Sequence, residues 1–179
     1  MREIITGYRI DCVWHFTDGA NIASIGRQGG LLPYAELRRR GVEIPAAGGN
    51  DWSHEADSWA GLDEYVHLAL IPNHPMLYMA KKDGRIKQPC WLKIDVSILA
   101  VEGIRFTCEV ANKSSAKLLT WEEAEDHVDW EVLFTRTDWS DPAIKARRQA
   151  AEKSQILIPG GVPLEKIVGK YRWLAGRYS

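Results

Sequence analysis

The sequence lacks the features that mark secreted, membrane-spanning and disulfide-linked proteins. Its three cysteines, Cys12, Cys90 and Cys108, lie far apart and form no Cys-x-x-Cys pair, which argues against a zinc knuckle or a disulfide framework and fits a reducing cytoplasm. No apolar run is long enough to span a bilayer, and the opening MREIITGYRIDCVWHF has no uninterrupted apolar core of a signal peptide. We therefore expect a cytoplasmic protein that does not enter a membrane.

Common nucleotide-binding loops and metal-binding motifs are missing as well. The chain has no Gly-x-x-x-x-Gly-Lys-Ser/Thr loop, no Gly-x-Gly-x-x-Gly loop and no His-Glu-x-x-His motif, so phosphate binding through those loops is not expected. His67 and His74 are separated by the end of a predicted strand and a turn, which is a weak pattern for a pair of metal ligands. We expect no metal cofactor.

The sequence also has no excess of charge of one sign. Its net charge is -1, so any nucleic-acid binding must rest on local patches. Two basic segments are available, LRRR (37–40) and KARRQAAEK (145–153), although each is also typical of a solvated helix face. Most of the eight tryptophans should lie in the core, but Trp52 and Trp59 fall in a polar segment, where they could stack on a ligand or a base.

The elements that are present indicate an α+β domain. The length of 179 residues suits a single domain covering 1–179. Alternating or continuous apolar runs predict six strands: DCVWHFT, EYVHLALIP, PCWLKIDVSIL, IRFTCEVAN, SQILIP and IVGKYRWLA. Helices are predicted after the N-cap Asp18, at YAELRRRG, at NHPMLYMAKKDG, at the capping box TWEE and from Asp141-Pro142. Strands and helices do not alternate regularly, which excludes a doubly wound sheet. Residues 42–63 form a long predicted loop, and such loops are often functional.

Two short segments contain polar residues at the ends of apolar strands. His15 and Thr17 end the first strand and are followed by a short helix and Gly29-Gly30, an order that would gather them around one pocket. Alone, His15 is more typical of a hydrogen-bonded strand histidine than of a ligand-binding residue. In EKSQILIPGGVP (152–163), Gln155 opens a strand whose next three residues are core formers, and alone it is typical of a solvated strand end.

Three segments carry a recognisable set of motifs. HFTDGANIASIGRQGGLL has His-x-Thr, Asn, Ile, Arg, Gly and Leu-Leu at positions 15, 17, 21, 25, 27, 29 and 31–32. YVHLALIPNHPMLY (65–78) has a Tyr-Val strand and a Pro-Met-Leu-Tyr element, and QILIPGGVP (155–163) is a strand with a turn. Together these segments resemble the DarT family of bacterial ADP-ribosyltransferases, toxins that modify single-stranded DNA, over about residues 10–170.

The resemblance implies a fold and a set of site residues. The fold is that of ADP-ribosyltransferases, with two small, packed, mainly antiparallel sheets and flanking helices around an NAD cleft. The loop 42–63 would cover NAD. The implied NAD-binding residues are His15 and Thr17, which face the nicotinamide amide, with Asn21, Ile25, Arg27 and Tyr65. The same loop would form part of the DNA surface, and the residues predicted to bind DNA are Arg38, Trp52, Trp59, His74, Arg147 and Arg148. The catalytic arginine lies in the cluster 38–40; we favour Arg40 and take Arg39 as the second choice.

The resemblance also answers why residue 155 is polar. The family has a glutamate at this position, which holds a ribose hydroxyl and takes a proton from the attacking base. Glutamine keeps the shape but has neither the charge nor the basicity. Three explanations fit, in this order of preference: an engineered Glu-to-Gln change, a natural loss of catalysis, or a base elsewhere, for which Glu152 is the nearest carboxylate.

The implied function is that of an NAD-dependent mono-ADP-ribosyltransferase acting on a base of single-stranded DNA. Guanine and thymine are both targets within the family, and HLALIPNHPM (67–76) favours guanine. A toxin of this kind implies a macrodomain antitoxin similar to DarG, and we expect the chain itself to be a monomer. Two alternatives remain: an inactive module that binds NAD or nucleic acid, and a transferase that modifies RNA.

Overall fold

The computed structural model describes residues 2–49, 57–58, 60–113 and 115–172. Its helices are α1 Arg2–Gly7, α2 Ile22–Arg27, α3 Tyr34–Arg39, α4 Pro75–Lys82, α5 Trp121–His127, α6 Trp130–Phe134 and α7 Pro142–Ala151. Its strands are β1 Cys12–Asp18, β2 Gly30–Leu31, β3 Tyr65–Ala69, β4 Pro89–Asp95, β5 Arg105–Thr107, β6 Gln155–Pro159, β7 Val162–Pro163 and β8 Ile167–Arg172. Short 3-10 turns occupy Gly19–Asn21, Leu62–Glu64, Val96–Ala100 and Leu164–Lys166.

The strands form one six-stranded sheet and one two-stranded sheet. The larger sheet has the order β5-β6-β3-β1-β4-β8 and the smaller pairs β2 with β7, and every pair is antiparallel. Sequence neighbours are often not neighbours in the sheet, and within the described residues no strand-helix-strand crossover joins parallel strands. The prediction of an α+β fold built from two mainly antiparallel sheets is therefore confirmed.

The small sheet joins two of the segments that the sequence singled out. Gly30 pairs with Pro163, and Leu31 pairs with Val162. Gly30 has φ 142°, and a Cβ built on it would lie 2.1 Å from the Val162 carbonyl oxygen, a separation that no side chain tolerates. The Gly29-Gly30 reversal predicted from the sequence is thus the point where the chain after α2 meets the chain after β6.

The core lies largely between the large sheet and the helices α5 to α7. Phe106 packs edge-on against Trp121, with ring centroids 4.8 Å apart, and Trp121 packs against Trp130. Ile156 and Ile158 of β6 are fully buried in the same cluster. A second cluster, which includes Leu77 and Trp91, secures α4. These contacts fix β1, β3 and β6 at the centre of the fold.

The predicted caps are present, whereas several predicted elements, among them the strands β3 and β4, are shorter in the structure. Asp18 caps the turn after β1, and Thr120 with Glu123 forms the capping box of α5. The helix predicted over 19–28 is divided into a 3-10 turn and the short α2, and β5 ends at Thr107 rather than continuing to 112. No helix in the described ranges is long and apolar enough to cross a bilayer.

Candidate active site

A cleft of about 240 Å³ opens between β1, β3, the start of β6 and the segment 42–49. Its wall contains apolar side chains and a few neutral polar ones, and within the described residues no Lys, Arg, Asp or Glu lines it. Seven residues that the sequence proposed for NAD, DNA or catalysis line it directly: His15, Thr17, Asn21, Ile25, Tyr65, His74 and Gln155. The cleft therefore gathers five of the six residues predicted to bind NAD, with Gln155 and His74, into one neutral pocket.

His15 presents a hydrogen-bond acceptor to this cleft. Its Nδ1 lies 3.0 Å from the carbonyl oxygen of His67, and because a carbonyl can only accept, Nδ1 carries the proton. Burial lowers the pKa of His15 to about 4, against a smaller opposing effect of that same hydrogen bond. The ring is therefore neutral near pH 7, and its Nε2 is an acceptor. The neighbouring His67 ring is held in turn by the Leu62 carbonyl, 3.1 Å from its Nε2.

Thr17 and Asn21 connect β1 to the segment that covers the cleft. The Asn21 side-chain amide donates to Thr17 Oγ1 at 3.0 Å and to the Ala46 carbonyl at 2.6 Å, and its Oδ1 accepts from the Ala46 N–H at 3.0 Å. Asn21 is thus largely committed to holding the chain at Ala46. Thr17 Oγ1 accepts one bond, which leaves its hydroxyl proton to donate elsewhere.

Asp18 fixes the end of β1 from the other side. Its Oδ1 accepts from the Ala20 N–H, and its Oδ2 accepts from the N–H groups of Lys87 and Gln88, both at 2.7 Å. Burial alone would raise the pKa of Asp18, but the backbone donors outweigh it, and the pKa lies below the ordinary value. The carboxylate is therefore a structural anchor that attaches the chain before β4 to the helix start.

Gln155 is an interior residue. It begins β6, which lies between β3 and β5, and it pairs with Ala69 on one side and Thr107 on the other. Its residue exposure is 6 %, and its Oε1 accepts the Ala111 N–H at 2.8 Å. The interpretation of Gln155 as a solvated strand end is therefore wrong, because β6 is a central strand. With the oxygen held by Ala111, the amide nitrogen makes no hydrogen bond within the described residues.

His74 is a second neutral histidine in the cleft wall. It caps α4, its Nδ1 accepting from the Met76 N–H at 3.2 Å, and it is 3 % exposed. Burial lowers its pKa to about 4; the nearby Lys153 carbonyl opposes this and the charge of His67 adds to it. By geometry its buried Nε2 has no hydrogen-bond partner among the described residues. His74 was predicted to contact DNA, and the structure places it beside the chain that leads into Gln155.

The arginine cluster of α3 lies outside the cleft wall. Arg39 binds Glu64 through both terminal nitrogens and also reaches Glu36. Arg40 binds Glu36 at 2.6 Å, and the Arg38 guanidinium lies 6.0 Å from the centre of the Tyr34 ring. In this structure the three arginines are therefore surface residues, two of them in ion pairs.

The remaining predicted residues are dispersed. Arg27 is exposed and does not line the cleft. Arg147 binds Asp129 and Glu131. Arg148 binds the Val132 carbonyl and Glu152, and lies 4.6 Å above the Trp139 ring. The carboxylate of Glu152 is therefore directed to Arg148, and Glu152 does not line the cleft. Trp52 and Trp59 lie outside the described residues.

Several groups that shape the site were missed by sequence reasoning. They are the Ala111 N–H that holds Gln155, both peptide groups of Ala46, the His67 carbonyl, and Arg85, which donates to the Gly48 carbonyl. Most are backbone atoms, which every residue type carries, so no sequence signal could have identified them. Within the described ranges no three metal-ligating side chains are grouped.

Comparison with known proteins relates this arrangement to one family. The family model "DarT: ssDNA thymidine ADP-ribosyltransferase, DarT" matches residues 14–171. The chain matches none of the curated proteins.

Solved structures have the same fold. The DarT of Thermus sp. 2.9 in complex with ADP-ribosylated single-stranded DNA superposes with a TM-score of 0.64 at 21% identity, over 89% of this chain and 79% of that one. The DarTG of Thermosipho africanus in complex with ADP-ribose gives 0.65 at 18% identity, over 89% of this chain and 43% of that one. The Thermus protein in complex with NAD+ gives 0.57 at 22% identity, over 88% and 79%.

Proposed function

Since this chain belongs to the DarT family of single-stranded DNA thymidine ADP-ribosyltransferases, we propose that it transfers ADP-ribose from NAD to a base of single-stranded DNA in the cleft between β1, β3, the start of β6 and the segment 42–49. The observation that carries the proposal is the pair formed by His15 and Thr17. One relative of the same fold, the DarT of Thermus sp. 2.9, was solved both with ADP-ribosylated DNA and with NAD+ bound, which supports the choice of both substrates.

His15 and Thr17 suit a primary carboxamide such as that of nicotinamide. They are two residues apart on β1 and therefore project to the same face of the strand. The neutral His15 Nε2 accepts a hydrogen bond, and the Thr17 hydroxyl has a proton to donate. A carboxamide offers an N–H donor and a carbonyl acceptor side by side. The pair would orient the nicotinamide ring and leave the ribose C1 directed toward β6.

Residue 155 then determines the speed of the chemical step. As nicotinamide leaves, positive charge builds on the ribose, and a preorganised anion nearby would stabilise the transition state. In Gln155 the oxygen is held by the Ala111 N–H, so the group left for the cleft is the NH2, which donates and cannot accept a proton. A glutamate in the same position would keep one oxygen on Ala111 and turn the other toward the ribose and the base. We therefore propose that the Gln155 form binds NAD and transfers ADP-ribose slowly.

The identity of the base remains part of the proposal. The description of the family names thymidine, and the guanine preference predicted from residues 67–76 stays a prediction. His74, whose Nδ1 is occupied by the Met76 N–H, carries its proton on Nε2 and so offers a donor. Both thymine and guanine have carbonyl oxygens that such a donor would suit, so His74 does not favour either base.

A second function is favoured by Gln155 itself. A cleft that keeps its shape while residue 155 is an amide, which cannot accept a proton, also fits a module that binds NAD or nucleic acid without turnover. RNA is a further possible acceptor, because it presents the same base edges. The toxin role and a macrodomain antitoxin similar to DarG belong to the proposal too, and the DarTG relative supports them. A monomeric state and a cytoplasmic site of action stay predictions.

The proposal is tested first by NAD calorimetry on the chain and on His15→Ala. Loss of one positioned hydrogen bond should weaken NAD binding about tenfold. His127→Ala is the matched control, since His127 is an exposed histidine of α5 outside the cleft wall, and it should bind NAD as the unchanged chain does. No NAD affinity, or equal affinity in all three proteins, would contradict the proposal.

The acceptor is tested with the Gln155→Glu form. DNA and RNA oligonucleotides of equal sequence, and DNA oligonucleotides that lack either thymine or guanine, should be incubated with labelled NAD. Transfer only to thymine-containing DNA is the expected result from the family description. Transfer to RNA, or no transfer to any oligonucleotide despite NAD binding, would support one of the two alternatives instead.

A further inference from the structure

The neutral wall of the cleft poses a problem for a ligand with phosphate groups. The pyrophosphate of NAD is anionic, and proteins usually meet phosphate with arginine, lysine or a group of backbone N–H donors. Within the described residues no charged side chain lines the cleft, and the α3 arginines are directed to Glu36, Glu64 and Tyr34. A cationic side chain that binds the pyrophosphate of NAD should therefore belong to a residue that does not line the cleft in this structure.

Arg85 is placed to do this. It lies between α4 and β4, and its side chain is only 20% exposed. One terminal nitrogen donates to the carbonyl of Gly48, a residue that lines the cleft, and the other contacts Asp83 at 3.1 Å. Its Nε is buried with no hydrogen-bond partner within the described residues. This guanidinium is therefore largely withdrawn from water and under-supplied with acceptors, which is costly for a buried charge.

The surroundings of Arg85 bring it to the start of the helical turn after β1. Asp18 binds the N–H groups of Lys87 and Gln88, and Gly19 N–H donates to the Gln88 carbonyl at 2.8 Å. The chain two to three residues after Arg85 is therefore attached to the start of that turn, where Thr17 and Asn21 line the cleft.

The segment that carries Gly48 covers the cleft closely. A Cβ added to Gly48 would lie 3.3 Å from the Phe16 ring, and Asn21 holds Ala46 two residues earlier. The cleft of about 240 Å³ is smaller than the roughly 300–1,000 Å³ typical of sites that bury a ligand of drug size. Burying a whole dinucleotide in this cleft would therefore displace this segment, and displacement of Gly48 would remove the carbonyl from Arg85.

We infer that Arg85 is the residue that binds the phosphate groups of NAD, and that the Gly48 carbonyl takes the place of a phosphate oxygen when no ligand is bound. A neutral carbonyl is a weaker partner for guanidinium than an anionic oxygen, so the exchange favours the bound state. The planar guanidinium can also bind two oxygens at once, and the unpaired Nε can donate to the second oxygen. The inference rests on the proposed function, since it assigns a residue within the same NAD site.

Calorimetry with three ligands tests the inference on the unchanged chain, Arg85→Gln and Arg136→Gln. The ligands are NAD and ADP-ribose, which contain the pyrophosphate, and nicotinamide riboside, which has no phosphate. Arg85→Gln should weaken NAD and ADP-ribose binding about ten- to a hundredfold, the effect of one hydrogen-bonded charge, and leave nicotinamide riboside unchanged. Arg136→Gln is the matched control, because Arg136 is exposed and does not line the cleft.

Asp83→Asn supplies a change in the opposite direction. Asp83 neutralises Arg85 in part, so its removal should tighten NAD binding by about two- to threefold, the range of an exposed ion pair, and leave nicotinamide riboside unaffected. Circular dichroism and the melting temperature of each variant verify that it is folded.

The outcomes distinguish the inference from the proposed function. If Arg85 only fastens the covering segment, Arg85→Gln will change the affinity for all three ligands by the same factor, and the inference is overturned. An unchanged affinity for NAD and ADP-ribose in Arg85→Gln overturns it as well. A further variant, Arg40→Gln, overturns it if its loss of affinity for these two ligands is larger than that of Arg85→Gln. If the unchanged chain binds neither NAD nor ADP-ribose, the proposed function fails, and the assignment of Arg85 fails with it.

Discussion

The cleft and the layer formed by α6 and α7 hold their polar side chains in opposite ways. In the helical layer, charge is matched with charge: Arg147 binds Asp129 and Glu131, and Arg148 binds Glu152. In the cleft, polar groups are neutral and are held by the backbone: His15 by the His67 carbonyl and Gln155 by the Ala111 N–H. In the helical layer, the charged groups are occupied by one another. In the cleft, each of these two side chains keeps one hydrogen-bonding atom available to a ligand.

This difference bears on how runs of basic residues in a sequence are interpreted. Residues 38–40 and 145–153 look like sites for phosphate, but most of their arginines already have carboxylate partners. An arginine that binds substrate should instead lack strong partners in the free protein. Arg85, in the segment KKDGRIK (81–87), also has a carboxylate partner, Asp83, but its buried Nε has no hydrogen-bond acceptor among the described residues.

The largest expected effect comes from adding a charge to the neutral cleft. Gln155→Glu should raise the rate of ADP-ribose transfer to single-stranded DNA by about two to four powers of ten, the usual contribution of a general base. NAD affinity should change little, because the Ala111 N–H can hold a carboxylate oxygen as it holds the amide oxygen. Single-turnover transfer to an oligonucleotide, at equal concentrations of both proteins, measures the rate.

Glu152 supplies the matched control for this change. It lies three residues earlier and binds Arg148 outside the cleft, so Glu152→Gln should leave transfer by the Gln155→Glu form unchanged. Equal rates for Gln155 and Gln155→Glu would show that residue 155 is not the base. A residual activity of the Gln155 form that Glu152→Gln abolishes would assign the role to Glu152.

A smaller effect separates the two interpretations of the α3 arginines. If Arg40 is the catalytic arginine, as the resemblance implies, Arg40→Ala in the Gln155→Glu form should reduce turnover about a hundredfold. If the ion pair with Glu36 describes its whole role, the loss should be less than about threefold, the range of an exposed pair. We expect the smaller loss, and kcat measured at saturating NAD and oligonucleotide decides. The same measurement on Arg39→Ala covers the second choice, because Arg39 is paired to Glu64 and Glu36.

The sequence predicted the local features of the fold well because each depends on residue type. The N-cap Asp18, the capping box of Thr120 and Glu123, and the Gly29-Gly30 reversal all follow from side-chain chemistry or from the absence of a Cβ, and all are present. The strand order β5-β6-β3-β1-β4-β8 was not predicted from these patterns. It depends on packing between residues far apart in the chain. The order of strands and helices indicated an α+β domain, and the family resemblance indicated its architecture of two sheets.

In the candidate site, too, residue types predicted some features and tertiary packing determined the others. His15, Thr17 and Gln155 were identified because each is a polar residue in an apolar strand. The contacts that give them their protonation and orientation come from the His67 carbonyl and the Ala111 N–H, and every residue has such atoms. The position of Arg85 behind Gly48 likewise depends on how the turn before β4 attaches to Asp18, which no local pattern encodes.

The smallest expected effect is on the free energy of unfolding, which should depend on pH through His74, a buried histidine of the cleft. His74 has a pKa of about 4, lowered by its burial, whereas in the unfolded chain it titrates near 6.5. As pH falls below about 6.5, the unfolded state takes up a proton that the native state refuses until about pH 4, so stability is complete above that window and declines within it. We expect His74 to account for about 1–2 kcal/mol of the stability lost between pH 7 and pH 5.

His74→Asn keeps an N-cap for α4 and removes the titrating group, so urea unfolding of this variant should show a correspondingly smaller decline. An equal decline in both proteins would mean that the buried His74 ring is not neutral in the native state. Arg147→Gln should show the same decline in stability as the unchanged chain, because it removes ion pairs with Asp129 and Glu131 and leaves every histidine in place.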